Sequence, residues 1–266
     1  MKKVFVIVGD DARQRAAGEY LQRLGYPVLG VEQVYQADFI LLPLPLDEEK
    51  AGLARLLRAA KPGAVALGGR VSEQAMQLAR SADVTLLDYF KREELEERNA
   101  IPTAEGCLAI LLQQRSRTLW RSPVLVLGYG RVGRAVAQRL QALGAQVTVA
   151  ARRPGPRAQA ESDGCQSIPL TELEQAAPEF DAVVNTIPAP VLGPEILVRL
   201  APKALVVDLA SKPGGTDFEA ARAVGVRAIH ALSLPARCAP VTAGQFVAQA
   251  VLAILQERGE LTNEKQ

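Results

Sequence analysis

At 266 residues the chain is long enough for two domains of ordinary size, and 48% apolar residues suffice for packed cores. A formal net charge of +2 with no polybasic run excludes an electrostatic footprint for nucleic acid or a membrane surface. One histidine and three scattered cysteines (Cys107, Cys165, Cys238) exclude a His-rich centre, leave no metal site and fit a reducing compartment.

Val4–Val8 reads as a buried first strand, too short an apolar run for a signal-peptide core. Asp10 and Asp11 then cap a helix predicted to reach Leu24. Further strands are predicted at Val28–Val31, Phe39–Leu42, Ala64–Leu67 and Val84–Leu87, with helices over Asp47–Ala60 and Ser72–Ser81. The alternation is flavodoxin-like, but Val8-Gly9-Asp10-Asp11 puts carboxylates where a pyrophosphate would sit. Residues 1–100 are therefore read as a substrate domain, in which Gly69 and Arg70 after the strand are candidates to admit and grip a carboxylate.

The charged stretch Lys91–Arg98 reads as a solvated turn of helix, before a new helix from Ile101 to about Gln114 capped by Thr103. Its apolar residues on several sides suggest a helix shared between domains, over 101–117. Residues 118–238 form the predicted dinucleotide domain, with strands at Pro123–Leu127, Gln146–Ala150, Ala182–Asn185, Ala204–Asp208 and Arg227–His230. A second shared helix covers 239–257, from about Thr242 to Gln256, and a polar, frayed tail is expected over 258–266. The apolar stretch Val241–Leu255 is too short to cross a bilayer, which takes roughly 20 residues, so a cytoplasmic protein is expected. The fold class is α/β, with two parallel-sheet domains, the second a Rossmann unit.

Gly128-Tyr129-Gly130-Arg131-Val132-Gly133 is the pattern G-x-G-x-x-G, set between a strand and a helix with Val132, Val136, Leu140 and Leu143 on one face. Gly128 permits the tight turn, Gly130 lets the backbone approach a pyrophosphate, and Gly133 lets helix and strand pack closely. After the second strand an NAD site usually carries a carboxylate. Here the chain reads Ala150-Ala151-Arg152-Arg153, with Arg157 nearby. Guanidinium groups at this place match a 2′-phosphate, so NADP is the expected cofactor, with NAD as the alternative.

Two loops at strand ends would wall the nicotinamide end of the cleft. One carries Thr186, Ile187 and Pro188; the other carries Asp208, Leu209, Ser211 and Lys212. Lys212, preceded by Ser211, is the candidate catalytic group, since a lysine beside the nicotinamide can neutralise a substrate carboxylate. His230 is read as non-catalytic. The two helix openings, Thr103-Ala104-Glu105-Gly106 and Thr242-Ala243-Gly244-Gln245, are read as possible anion sites, so Thr103, Glu105 and Thr242 join the substrate candidates.

Several segments resemble the dipicolinate synthase A family. They are Asp88–Leu95, Asn99–Gly106, Val124–Gly133, Asn185–Pro188, Asp208–Phe218 and Ala239–Gln245. One departure is Ser233-Leu234-Pro235-Ala236, where the family tends to read Gly-Leu-Pro-Gly. The resemblance implies oxidation of a dihydrodipicolinate-type ring to dipicolinate with a nicotinamide cofactor, in the sporulation branch of the lysine pathway. It also implies a small dicarboxylate substrate and a flavoprotein-like partner, dipicolinate synthase B; a homo-oligomer is compatible with it. The residues alone leave two alternatives open: an NADP-dependent dehydrogenase of another small acid, and a dinucleotide-binding regulatory protein without turnover of its own.

Overall fold

The structure, a computed structural model, describes residues 2–261. It divides into two units: the chain up to Asn99 together with the chain from Ala239 onward, and Ala100–Cys238.

The first unit begins with β1 (Phe5–Ile7) and α1 (Ala12–Arg23). Asp11 caps α1, its carboxylate accepting from the Arg13 and Gln14 amides at 2.8 and 3.0 Å. Next come β2 (Val28–Leu29), β3 (Phe39–Leu41), α2 (Leu53–Ala59), β4 (Val65–Gly68), α3 (Glu73–Ser81) and β5 (Thr85–Asp88). All pairings are parallel, in the order β2-β1-β3-β4-β5, which is the flavodoxin-like winding. Strand residues alternate between two cores, as a sheet covered on both faces requires. Phe5, Phe39 and Leu41 face one core with Ala17 and Leu21, whereas Val6, Ile40 and Leu42 face the other with Leu53 and Leu57.

The second unit contains most of α4 (Glu93–Gln114), then β6 (Pro123–Leu127), α5 (Arg131–Ala142), β7 (Gln146–Ala151), α6 (Pro154–Ser162) and β8 (Gln166–Pro169). The short α7 (Leu173–Ala176), β9 (Ala182–Asn185), α8 (Pro194–Leu197), β10 (Leu205–Asp208), α9 (Phe218–Ala223), β11 (Arg227–His230) and α10 (Leu234–Cys238) complete it. The order β11-β10-β9-β6-β7-β8, again all parallel, is the doubly wound Rossmann arrangement. The last helix, α11 (Pro240–Glu257), returns to the first unit and packs along α1.

Several elements differ from the sequence reading. The helix expected to open at Ile101 already runs from Glu93, so the charged stretch is its first turns, with Glu93, Glu94 and Glu96 suited to a helix N-terminus. Thr103 is thus a mid-helix residue and no cap. In α11 the cap position is Ala239 with Pro240 at the first turn, so Thr242 is no cap either. The helix expected from Asp47 forms only from Leu53, β2 stops at Leu29, and β8 has no counterpart among the expected strands. Leu143, expected on the buried face of α5, and Leu112 of α4 are exposed. The tail expected to fray after Arg258 instead turns back, with the Leu261 amide bonded to the Leu255 carbonyl and its side chain in the first unit's core. Residues 262–266 of that tail lie outside the described residues.

Candidate functional site

In the second unit the chain leaves β6 at Gly128, whose φ of +87° is a region that L side chains rarely adopt. A Cβ on Gly133 would stand 2.2 Å from the Gly128 carbonyl oxygen, so this contact of turn and helix admits only glycine. Around Gly130, by contrast, a Cβ would meet nothing within 4 Å. The residue that the sequence assigns to a ligand's approach is thus the one with open space beside it. Gly130 caps α5 without a side-chain bond, and the first turn of α5 carries no acidic residue. Its amides point to the same place as the helix dipole and suit a pyrophosphate. Arg131 and Val132 contribute to this turn through their backbone; the Val132 side chain packs on the unit's core.

The Tyr129 side chain turns inward: its ring joins the core and its hydroxyl donates to Asp163 Oδ2 at 2.8 Å. Burial and this carboxylate hold the phenol pKa well above its ordinary value. On the neighbouring strand, Thr186 Oγ1 donates to the Leu127 carbonyl at 2.7 Å and closes the turn beside Gly128.

At the end of β7, Arg152 and Arg153 are exposed, and Arg153 caps α6. Arg157 reaches back from α6, its Nη1 donating to the carbonyl oxygens of Ala151 and Arg152 at 3.2 and 3.4 Å. The strand end is basic and, from Ala150 to Arg157, carries no carboxylate.

Beyond β9 and β10 a buried polar network fixes the two specialised loops. Asp208 is fully buried, and its carboxylate accepts from Asn185 Nδ2 at 3.0 Å and from the Ala210 and Gly215 amides at 2.9 Å each. Asn185 also donates to the Ile187 carbonyl and accepts from its amide. The Asp208 side chain is therefore engaged within the protein and shapes the Leu209–Gly215 loop. Ser211, Lys212 and Pro188 lie exposed on these loops. His230 Nε2 is 2.9 Å from the Ala210 carbonyl, which only accepts, so that nitrogen carries the hydrogen. Its ring stacks on Phe218 at 5.2 Å. The lone histidine thus holds the start of the same loop.

The first unit corrects another expectation. A Cβ on Gly69 would meet Leu44 Cδ1 at 2.6 Å and Tyr89 Cε2 at 2.9 Å, so this glycine serves packing and is covered by protein, leaving no room for a ligand. Arg70 has φ of +57°, is exposed, and lays its guanidinium 5.0 Å from the centre of the Phe90 ring. Asp88 accepts the amides of Arg70, Val71 and Phe90 and orders this corner. Glu105 is exposed on α4, 3.9 Å from the Arg139 guanidinium. Thr103 sits one position after Pro102 inside the helix, and Thr242 is exposed. Sequence reasoning misses Arg13, whose side chain is largely buried at the ends of β1 and β3; its run Asp-Asp-Ala-Arg signals only a helix start.

No group of described residues could hold a metal ion, and among them no helix is long and apolar enough to cross a membrane.

Residues 111–208 match the model of the D-isomer specific 2-hydroxyacid dehydrogenase NAD-binding domain. The second unit is thus a nicotinamide-dinucleotide domain of the oxidoreductases. The chain is 38% identical over 180 residues to dipicolinate synthase A of Bacillus subtilis, an alignment covering 68% of this chain and 61% of that protein. The match thus spans about three fifths of this curated relative's length. Crystal structures of dipicolinate synthase A from Bacillus halodurans and Bacillus subtilis superpose with TM-scores of 0.85 and 0.84. The first is 30% identical, covering 95% of this chain and 97% of that one; the second is 31% identical, covering 98% of each. A transhydrogenase from Sinorhizobium meliloti, 18% identical with a TM-score of 0.78 and covering 97% of this chain and 95% of that one, shares the fold. With both units matched along nearly their whole length at this identity, the chain belongs to the dipicolinate synthase A family.

Proposed function

We propose that the protein is the dehydrogenase component of a dipicolinate synthase, oxidising a dihydrodipicolinate-type cyclic dicarboxylate with NADP+ and working with a second, flavoprotein-like component. Family membership supports the substrate and the partner. The observation that carries the cofactor assignment is the basic end of β7, where Arg152 and Arg153 stand exposed in place of the carboxylate that would bond a ribose 2′-hydroxyl.

The bound nicotinamide supplies the acceptor for the two electrons that leave the ring. The amides of Gly130, Arg131 and Val132 would hold the pyrophosphate, with Gly133 and Thr186 keeping that turn closed. Ile187, Pro188 and Leu209 would wall the nicotinamide end. Asp208 and His230 hold the loop that presents Ser211 and Lys212. The exposed ammonium of Lys212 offsets a substrate carboxylate, and loss of a ring proton to solvent completes an aromatisation that itself supplies driving force.

Calorimetric titration with NADP+ and NAD+, on the native chain and on Arg152→Asp, tests the cofactor. The native chain binds NADP+ tighter by about tenfold or more, and the variant reverses the order. Equal affinities in both proteins would refute the assignment. Formation of dipicolinate, followed by its ultraviolet absorbance with the flavoprotein-like partner present, tests the substrate.

A further inference from the structure

The winding of the first sheet changes direction between β1 and β3. From β1 the chain passes through α1 to β2 on one side; from β3 it passes through α2 to β4 on the other. In open parallel sheets ligands bind beyond the carboxyl ends of the strands at such a point.

Arg13, the second residue of α1, lies across this point. Its Nη2 donates to Asp11 Oδ2 at 3.0 Å, in the loop after β1, and to the Leu44 carbonyl at 2.6 Å, in the loop after β3. The side chain is 15% exposed, and its Nε is buried without a hydrogen-bond partner among the described residues. An unsatisfied buried donor is costly, so a guanidinium that is kept here despite one calls for a role beyond its present contacts. Asp11, whose Oδ2 pairs with the guanidinium, also accepts the Arg13 and Gln14 amides through Oδ1. Gln14, also buried, donates to the Val8 carbonyl at 2.8 Å and steadies the end of β1. The guanidinium is therefore pinned between two loops with donor capacity to spare.

We propose that Arg13 binds a carboxylate of the organic-acid substrate at the switch point of the first sheet. This rests on the reading that the first unit contacts the substrate of the dehydrogenase. It moves the anion site from Gly69, which is filled, and from Arg70, which lies in the open on Phe90.

The test is calorimetric titration of the full chain, saturated with NADP+, with pyridine-2,6-dicarboxylate, pyridine-2-carboxylate and pyruvate. Native protein, Arg13→Lys and Arg13→Gln are compared. The native chain is expected to bind the dicarboxylate, Arg13→Gln to weaken it about thirtyfold or more, and Arg13→Lys to lose less, because the charge remains. Melting temperature and NADP+ affinity report on folding. If Arg13→Gln does not fold, Arg13→Lys decides, with a loss of affinity again expected. The proposal is overturned if no probe binds the native chain, or if both folded variants match it within about twofold, a change too small for a lost charged hydrogen bond. Arg13-dependent binding of pyruvate without binding of the dicarboxylate keeps the role of Arg13 and sinks the assigned substrate.

Discussion

Asn185 Nδ2 stands 3.0 Å from Asp208 Oδ1, with both side chains fully buried at the ends of adjacent strands β9 and β10. This contact joins two loops through groups that water does not reach. Replacing Asp208 by Ala leaves Asn185 Nδ2 and the Ala210 and Gly215 amides with one acceptor fewer each. A stability loss of about 3 kcal/mol is expected. Chemical denaturation at neutral pH checks it, and a loss below about 1 kcal/mol would show that the loop does not depend on this carboxylate.

The glycines of the turn after β6 separate packing from binding. Gly130→Ala places a methyl group in open space and is expected to leave the melting temperature unchanged while raising the coenzyme dissociation constant on the order of tenfold. Gly133→Ala collides with the Gly128 carbonyl and is expected to destabilise the fold itself. Paired thermal and calorimetric measurements distinguish the two. Unchanged coenzyme binding in Gly130→Ala argues against a pyrophosphate at this turn.

Tyr129 lies within the glycine pattern yet turns inward to Asp163. Tyr129→Phe is expected to cost about 1 kcal/mol of stability and to leave coenzyme affinity unaltered. A weakened affinity in a variant of native stability would mean that the hydroxyl meets the ligand.

Asp38 accepts from the Val4 amide at 2.7 Å and from Lys61 Nζ at 2.8 Å. Burial acts to raise its pKa, but these bonds and the charges of Lys61 and Lys3 outweigh it and hold the carboxyl below its usual 3.8. A depressed folded value means that the stabilisation is complete above the unfolded value and is lost as the pH falls through the folded one. The difference in melting temperature between the native chain and Asp38→Asn should therefore narrow as the pH is taken from about 6 to about 2. A pH-independent difference would show that the carboxylate's charge is not what stabilises this corner.

The parts of the fold legible in the sequence are those written locally. The apolar runs of β1, β3, β6 and β9 and the glycine spacing after β6 each state their structure within a few residues. Strand β8 is hidden because Ile168 is its one strongly apolar residue and Pro169 ends it, as suits an edge strand. The start of α4 is hidden because Pro102, which cannot donate to the Arg98 carbonyl, looks like a helix boundary. At the site, Gly69 misleads because Leu44 and Tyr89, distant in sequence, fill the space beside it. Arg13 escapes notice for the same reason: its partner across the sheet, the Leu44 carbonyl, is invisible from a helix-start pattern.

In α11, a Cβ on Gly244 would stand 2.3 Å from the Arg13 carbonyl and 2.8 Å from the Ala16 Cβ, so α1 and α11 touch backbone to backbone. From α11, Val247, Ala248, Val251 and Leu255 complete the core around Phe5, Phe39 and Leu41. During synthesis, the amino-terminal sheet thus waits with one apolar face uncovered until the final helix clears the ribosome. The dinucleotide unit, encoded without interruption, has all its strands beforehand. An early stop codon ahead of α11 would therefore harm the portion made first and spare the portion made second.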